Sequence, residues 1–252
     1  MTGRLYGAGR YAVGAIRKTE THNALDDFPT PPWATRALCE HVIVASGTVL
    51  EPATGRGFMS RPLAEYFHSV TESDIESYGR DIAVIDFLKP ESYPAGSFDW
   101  VITNPPFNLA APFIRRANEV ARIGSAMLCR VPILEGVKRY TEIYRHNPPT
   151  IVAPFVERVP MVMGRCDPNA STATAYAWLV WEKQPKITGT TRLMWIPPCR
   201  KTLERSADYD LPAAWRAQRP RKSKRVRASR QVFRRPPAVR PDLKHDARVR
   251  SV

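Results

Sequence analysis

Four consecutive residues near the middle of the chain, Asn104-Pro105-Pro106-Phe107, combine hydrogen-bond acceptors, a stiff backbone and a flat apolar ring. That set suits a planar, conjugated amine. Such a nitrogen is a poor nucleophile because its lone pair is delocalised, and both of its hydrogens need acceptors. The side-chain oxygen of Asn104 and the carbonyl of Pro105 could take one hydrogen each, drawing the nitrogen towards a tetrahedral shape with its lone pair aimed at an electrophile. Two prolines fix these acceptors before a substrate arrives. Phe107 adds a face on which a flipped ring can stack. The same residues also read as a proline-rich turn after a core strand, in a chain with 24 prolines, so their neighbours must decide.

The elements around the tetrapeptide would place it at a ligand site. Trp100 to Ile102 reads as a buried strand that stops where proline removes the ladder N–H. In an open parallel α/β sheet, ligands bind at the carboxyl ends of strands. Upstream, Thr48-Val49-Leu50 is another strand, followed by Glu51-Pro52-Ala53-Thr54-Gly55-Arg56-Gly57 and a helix around 59–67. Gly55 and Gly57 allow positive φ and a close backbone approach. The dinucleotide fingerprint wants a third glycine where Ser60 stands, and no phosphate-binding lysine follows, which excludes a P-loop. A strand over 68–75 ends in Asp74, about twenty residues after the glycine turn and so placed for ribose hydroxyls, with Glu72 as the alternative.

Thr30 followed by Pro31 predicts a capped helix running to about residue 44. Residues 81–88 read as a strand carrying Asp86-Phe87, 110–122 as a helix, 126–131 as a strand and 140–146 as a helix. This alternation predicts an α/β, Rossmann-like, mostly parallel sheet with helices on both faces. The pattern then changes to an antiparallel hairpin, 150–162 with 174–182, and a last strand over 192–196. On the second hairpin strand, Tyr176, Trp178 and Val180 share one face, expected to be core.

Asn-Pro-Pro-Phe resembles the catalytic signature of S-adenosylmethionine-dependent amino-methyltransferases, chiefly DNA adenine-N6 methyltransferases. The other motifs follow in that family's order: Thr30-Pro31-Pro32-Trp33, the acidic-Pro-x-x-Gly-x-Gly loop, the strand-end acid, Asp86-Phe87, then residues 104–107. The resemblance covers about residues 30–182 and implies the methyltransferase fold, with S-adenosylmethionine as cofactor. It implies that Thr30 and Pro31 close over the cofactor's methionine part and that Glu51 faces that part's positive charge. Ala53, Gly55 and Gly57 would form the cofactor loop, and Asp86 and Phe87 would meet the adenine. Asn104 would sit between cofactor and target amine. Arg165, Asp167 and Asn169, in the hairpin loop, become candidates for contact with the target base. Two features depart from the family. Many members carry Asp where Glu51 stands, and only a short segment and a basic tail follow residue 196 in place of a large recognition domain. A small, solitary modification enzyme of a phage or mobile element fits that outline.

Composition narrows the partners. The net charge is +14, and the last 38 residues hold fourteen Lys/Arg against Asp242 and Asp246, so twelve of those charges belong to the tail. Residues 201–252 are expected to be a disordered basic arm that binds nucleic-acid phosphates by counterion release, DNA first and RNA as the alternative. Residues 1–24 are expected to be an irregular leader and 25–200 the catalytic domain. No 18-residue apolar run exists, so no membrane span is expected. Cys39, Cys129, Cys166 and Cys199 form no CxxC pair and the five histidines are scattered, which predicts a reducing, cytoplasmic setting and no metal. RNA adenine or protein glutamine amide as the methyl acceptor, a non-catalytic nucleic-acid binder and a nicotinamide oxidoreductase remain open at this point.

Overall fold

The computed structural model describes residues 26–185 and 189–210. The described residues begin with α1 (Pro32–His41), β1 (Thr48–Glu51), a one-turn α2 (Ser60–Leu63), β2 (Ser69–Asp74) and β3 (Ala83–Val84). Next come β4 (Phe98–Thr103), α3 (Ala110–Val120) and β5 (Ala121–Arg130). A short α4 (Val137–Arg139) runs into a π-helical turn, Tyr140–Tyr144, before β6 (Ile151–Pro154), β7 (Tyr176–Glu182), β8 (Arg192–Leu193) and α5 (Arg200–Leu203). Among the described residues the eight strands join one sheet in the order β3-β2-β1-β4-β5-β7-β6-β8. β1, β2, β3, β4 and β5 pair in parallel, whereas β7 runs antiparallel to both β5 and β6. This is the expected α/β, Rossmann-like sheet with its antiparallel end.

Several elements differ in length from the sequence expectation. The strand predicted over 81–88 contracts to Ala83–Val84, both exposed on the sheet edge, because the Asp86 side chain captures the Leu88 N–H (3.0 Å) and turns the chain. β6 ends at Pro154 rather than near residue 162. β5 begins at Ala121, directly after α3, five residues before the predicted start. α2 stops at Leu63, and looser helical turns carry the chain on to Phe67.

Alternation along the central strands supplies both faces of the core. Val49, Trp100, Ile102, Ala126, Leu128, Trp178 and Val180 pack under α1 and α2. Leu50, Val101, Met127, Cys129, Ala177 and Leu179 face the other way, towards α3 and the π turn. With helices on both faces, each central strand is buried twice, which explains its near-continuous apolar sequence. Tyr176, Trp178 and Val180 are core, as expected, and the Trp178 indole N–H donates to the Ala34 carbonyl (3.0 Å), fastening α1 to β7.

Packed structure continues past the boundary expected at residue 200. α5 and a 3-10 turn (Ser206–Tyr209) return to α1, where Arg36, 3 % exposed, meets Asp208, 6 % exposed. Arg36 Nη1 and Nη2 donate to the two Asp208 oxygens (2.8 Å each), Nη1 to the Leu203 carbonyl (2.8 Å), and Nε and Nη2 to Glu65 (3.0 and 2.8 Å). All five donors of the guanidinium fork are therefore used. The expected leader, residues 1–24, and residues 211–252 of the expected tail lie outside the described residues. Breaking a buried pair from one side leaves the other charge uncompensated, a loss of about 3–5 kcal/mol. Arg36→Ala is therefore expected to lower unfolding stability by about that much in a urea titration, and adding Asp208→Ala is expected to restore part of the loss.

Candidate active site

The sheet order reverses between β1 and β4, and a cavity of about 210 Å³ opens at their carboxyl ends. Open α/β sheets bind ligands at this switch point. The cavity wall combines the strap 26–30 before α1, the loop after β1, Asp74 at the end of β2, Asp86 and Phe87, and Asn104 with Pro106 after β4. Of the residues singled out from the sequence, Thr30, Glu51, Ala53, Gly55, Asp74, Asp86, Phe87, Asn104 and Pro106 line it. Pro31, Gly57, Pro105, Phe107, Arg165, Asp167 and Asn169 do not.

Asn104 is oriented by the strap. Its Nδ2 donates to the Phe28 carbonyl (3.1 Å) and to the Thr30 hydroxyl (3.2 Å). A carbonyl can only accept, so the amide nitrogen must face Phe28 and the oxygen must point the other way. That oxygen, Oδ1, is buried without a hydrogen-bond partner among the described residues. Thr30 was expected to cap α1. The structure corrects this: Pro31 holds the cap position, no side chain caps it, and the Thr30 hydroxyl is engaged by Asn104 instead. The strap is tied down elsewhere too. Asp26 Oδ2 accepts the Phe107 N–H (2.9 Å), and Asp27 pairs with Arg56 of the β1 loop (3.0 Å).

The other half of the cavity is acidic. Asp74 Oδ2 accepts the Gly55 N–H (2.8 Å) and Oδ1 the Glu76 N–H (3.2 Å). Burial raises its pKa, and these backbone donors only partly offset the rise. Glu51, 2 % exposed, has its pKa pushed well up by burial and then by the charge of Glu72. Glu72, the alternative to Asp74, stands outside the cavity wall in a polar network. Burial acts to raise its pKa, but Arg80 (2.6 Å), Ser60 and Thr54 outweigh that and lower it. The two glycines part company. A Cβ on Gly55 (φ +51°) would meet nothing within 4 Å, so that turn is open to a ligand. On Gly57 (φ +75°) it would lie 2.8 Å from the Arg80 guanidinium, so Gly57 makes room for Arg80 and not for a ligand.

Two further expectations change. Phe87, 2 % exposed, is wedged between Phe113 (centroids 5.2 Å apart) and Tyr93 (6.2 Å), so only part of its ring reaches the cavity. Arg165 and Asp167 pair with each other (3.2 Å), and Asn169 donates its N–H to Asp167 (3.0 Å). Their loop nevertheless abuts the strap, because the Gly164 N–H donates to the Asp27 carbonyl (2.8 Å). Sequence reasoning missed Asp26, Asp27, Phe28, Arg56, Tyr78 and Arg130. The first two were legible as acids before a Thr-Pro-Pro, but nothing local marks Arg130, whose guanidinium lies 3.6 Å over the Phe107 ring. No cluster of side chains able to hold a metal occurs among the described residues.

Comparison with solved structures finds partial likenesses to methyltransferases. One is a candidate type II methyltransferase from Anaeromyxobacter dehalogenans, 24 % identical over 40 % of this chain and 48 % of that one, TM-score 0.33. A second is the methyltransferase subunit of a type I restriction-modification system from Streptococcus thermophilus, 12 % identical over 76 % and 52 %, TM-score 0.46. A third is a methyltransferase from Aquifex aeolicus described as dependent on S-adenosylmethionine, 20 % identical over 33 % and 56 %, TM-score 0.27. The chain spans about half the length of each. No protein-family model and no curated protein sequence matches it.

The Glu51 carboxyl supplies a pH test. With its pKa raised in the folded state, the native protein keeps a proton that the unfolded chain has released, so this group's contribution to stability falls as pH rises above the ordinary glutamate range. Glu51→Gln is expected to match the wild type near pH 4 and to equal or exceed its melting temperature at pH 8, flattening the profile.

Proposed function

We propose that this protein is a methyltransferase that uses S-adenosylmethionine to methylate the exocyclic N6 amine of adenine in DNA. The observation that carries the reading is Asn104, which lines the cavity, has its amide nitrogen fixed by Phe28 and Thr30, and has a buried Oδ1 with no hydrogen-bond partner among the described residues. Leaving a buried acceptor unmatched costs about 1–3 kcal/mol, so a ligand donor is the natural partner. The Asn-Pro-Pro-Phe resemblance supplies the chemical class of that donor, a planar amine.

The residues present fit the cofactor. Gly55 leaves space beside the loop, Asp74 retains acceptor capacity for hydroxyls, and Glu51, which holds its proton in the free protein, would become a counter-charge by releasing it when a sulfonium or an ammonium binds. When bound, S-adenosylmethionine supplies a methyl group made electrophilic by its sulfonium. In this reading Asn104 Oδ1 would accept one amine N–H and the carbonyl of Pro105, next in the chain but not part of the cavity wall, the other, which would localise the nitrogen lone pair. The amine loses its proton to water after attack, so this arrangement requires no strong general base. The twelve net positive charges of the last 38 residues favour a polyanionic substrate over a protein amide.

S-Adenosylhomocysteine is expected to raise the melting temperature where NAD does not. With methyl-labelled cofactor, label is expected in adenine of DNA; label confined to RNA or to a glutamine-bearing protein would reject the DNA assignment. Asn104→Ala is expected to lower turnover about 100- to 1,000-fold while retaining S-adenosylhomocysteine binding, the usual loss for one preorganised polar contact. A chain ending at Asp210 is expected to bind DNA with a distinctly shallower dependence of log K on log salt, since each lost phosphate contact removes a slope of about 0.9.

A further inference from the structure

The acceptor half of the site is closed in a way the cofactor half is not. The cavity reaches Asn104 and Pro106, but the Phe107 ring forms no part of its wall. The Arg130 guanidinium lies over that ring with its central carbon 3.6 Å from the centroid, the spacing of a stacked pair, and 5.6 Å from the centroid of Phe28. Phe28 itself leans on Phe107, centroids 5.4 Å apart and planes tilted by 44°. Arg130 is the last residue of β5, and β5 pairs with β4 in parallel, so its side chain starts level with the tip that carries Asn104. Arg130 Nε is buried without a hydrogen-bond partner among the described residues. The guanidinium also hydrogen-bonds the side chain of the buried Tyr176, so that bond and the contact with the two rings together hold it.

We propose that Arg130 is a gate on the acceptor half of the site. In the free protein its flat guanidinium occupies the face of Phe107 on which an amine-bearing ring would stack, and it must leave before that ring can enter. This rests on the reading of residues 104–107 as the floor for a planar amine. A guanidinium suits the role because it is planar and weakly hydrated, so it covers an aromatic face as a base does. Leaving that face exchanges the cation–π contact and the Tyr176 hydrogen bond for hydration, an exchange that an apolar plug could not make. The gate discriminates in favour of acceptors whose stacking outweighs a cation–π contact: a purine ring replaces the guanidinium more readily than a lone carboxamide does.

The test separates the gate from phosphate binding by using a neutral acceptor. Binding of 2′-deoxyadenosine, and of 2-aminopurine riboside read by fluorescence quenching, is measured with saturating S-adenosylhomocysteine on the full chain. Arg130→Ala is expected to bind both nucleosides about 3- to 30-fold more tightly than the wild type, the factor released by removing one competing cation–π contact. Arg130→Lys is expected to fall between them, since an ammonium cannot cover the ring. Unchanged or weaker nucleoside binding in Arg130→Ala, with S-adenosylhomocysteine affinity intact, would overturn the gate and make Arg130 a fixed support of Phe107. If the alanine variant does not fold, the lysine variant decides by the same criterion. Failure of the wild type to bind S-adenosylhomocysteine would overturn the methyltransferase reading, and the gate with it.

Discussion

The Asn104 carboxamide is held from outside its own loop, by a carbonyl and a hydroxyl that arrive on a strap 74–76 residues away in sequence. Two acceptors on one nitrogen leave no freedom for the amide to flip, and this is what leaves the oxygen unpaired. The same strap reaches Phe107 through Asp26, the β1 loop through Arg56, and the hairpin loop through Gly164. Displacing it would loosen the β1 loop on the cavity wall together with the neighbouring Phe107 and hairpin-loop segments. The preorganisation suggested by two prolines is thus completed by contacts that the prolines do not make.

Electrostatics divides the cavity. Three acids stand at or near the ends of β1 and β2; Arg80 pairs with Glu72 and its charge also acts on Glu51, while among the described residues Glu51 accepts from the Thr54 hydroxyl and Asp74 from the Gly55 N–H. Burial raises the pKa of both Glu51 and Asp74. On the other side, Asn104 is uncharged and Arg130 covers Phe107. A cationic donor and a neutral, flat acceptor would each find the half suited to it.

Much of the fold was legible because it depends on local pattern. Short continuous apolar runs marked β1, β4 and β5, alternating aromatics marked β7, and the switch of pattern after residue 146 marked the antiparallel end. Where expectation failed, a side chain had intervened. The Asp86 carboxylate took the Leu88 N–H and cut β3 short, and Arg36 carried order past residue 200 by gathering Glu65 and Asp208 from distant parts of the chain.

The chemistry-bearing types and their order, from Thr30 through Gly55 and Asp74 to Asn104, were determined by the sequence, since composition and spacing are properties of the chain itself. Which atoms those residues were left to offer was decided only in three dimensions. Thr30 looked like a cap and became an acceptor for Asn104; Gly57 looked like a ligand contact and proved to clear space for Arg80; Arg130 carried no local mark and came to rest on Phe107. The physical reason is common to all three. A hydrogen bond or a stacked ring belongs to whichever partner packing brings within about 3–4 Å, and no short-range pattern specifies that partner.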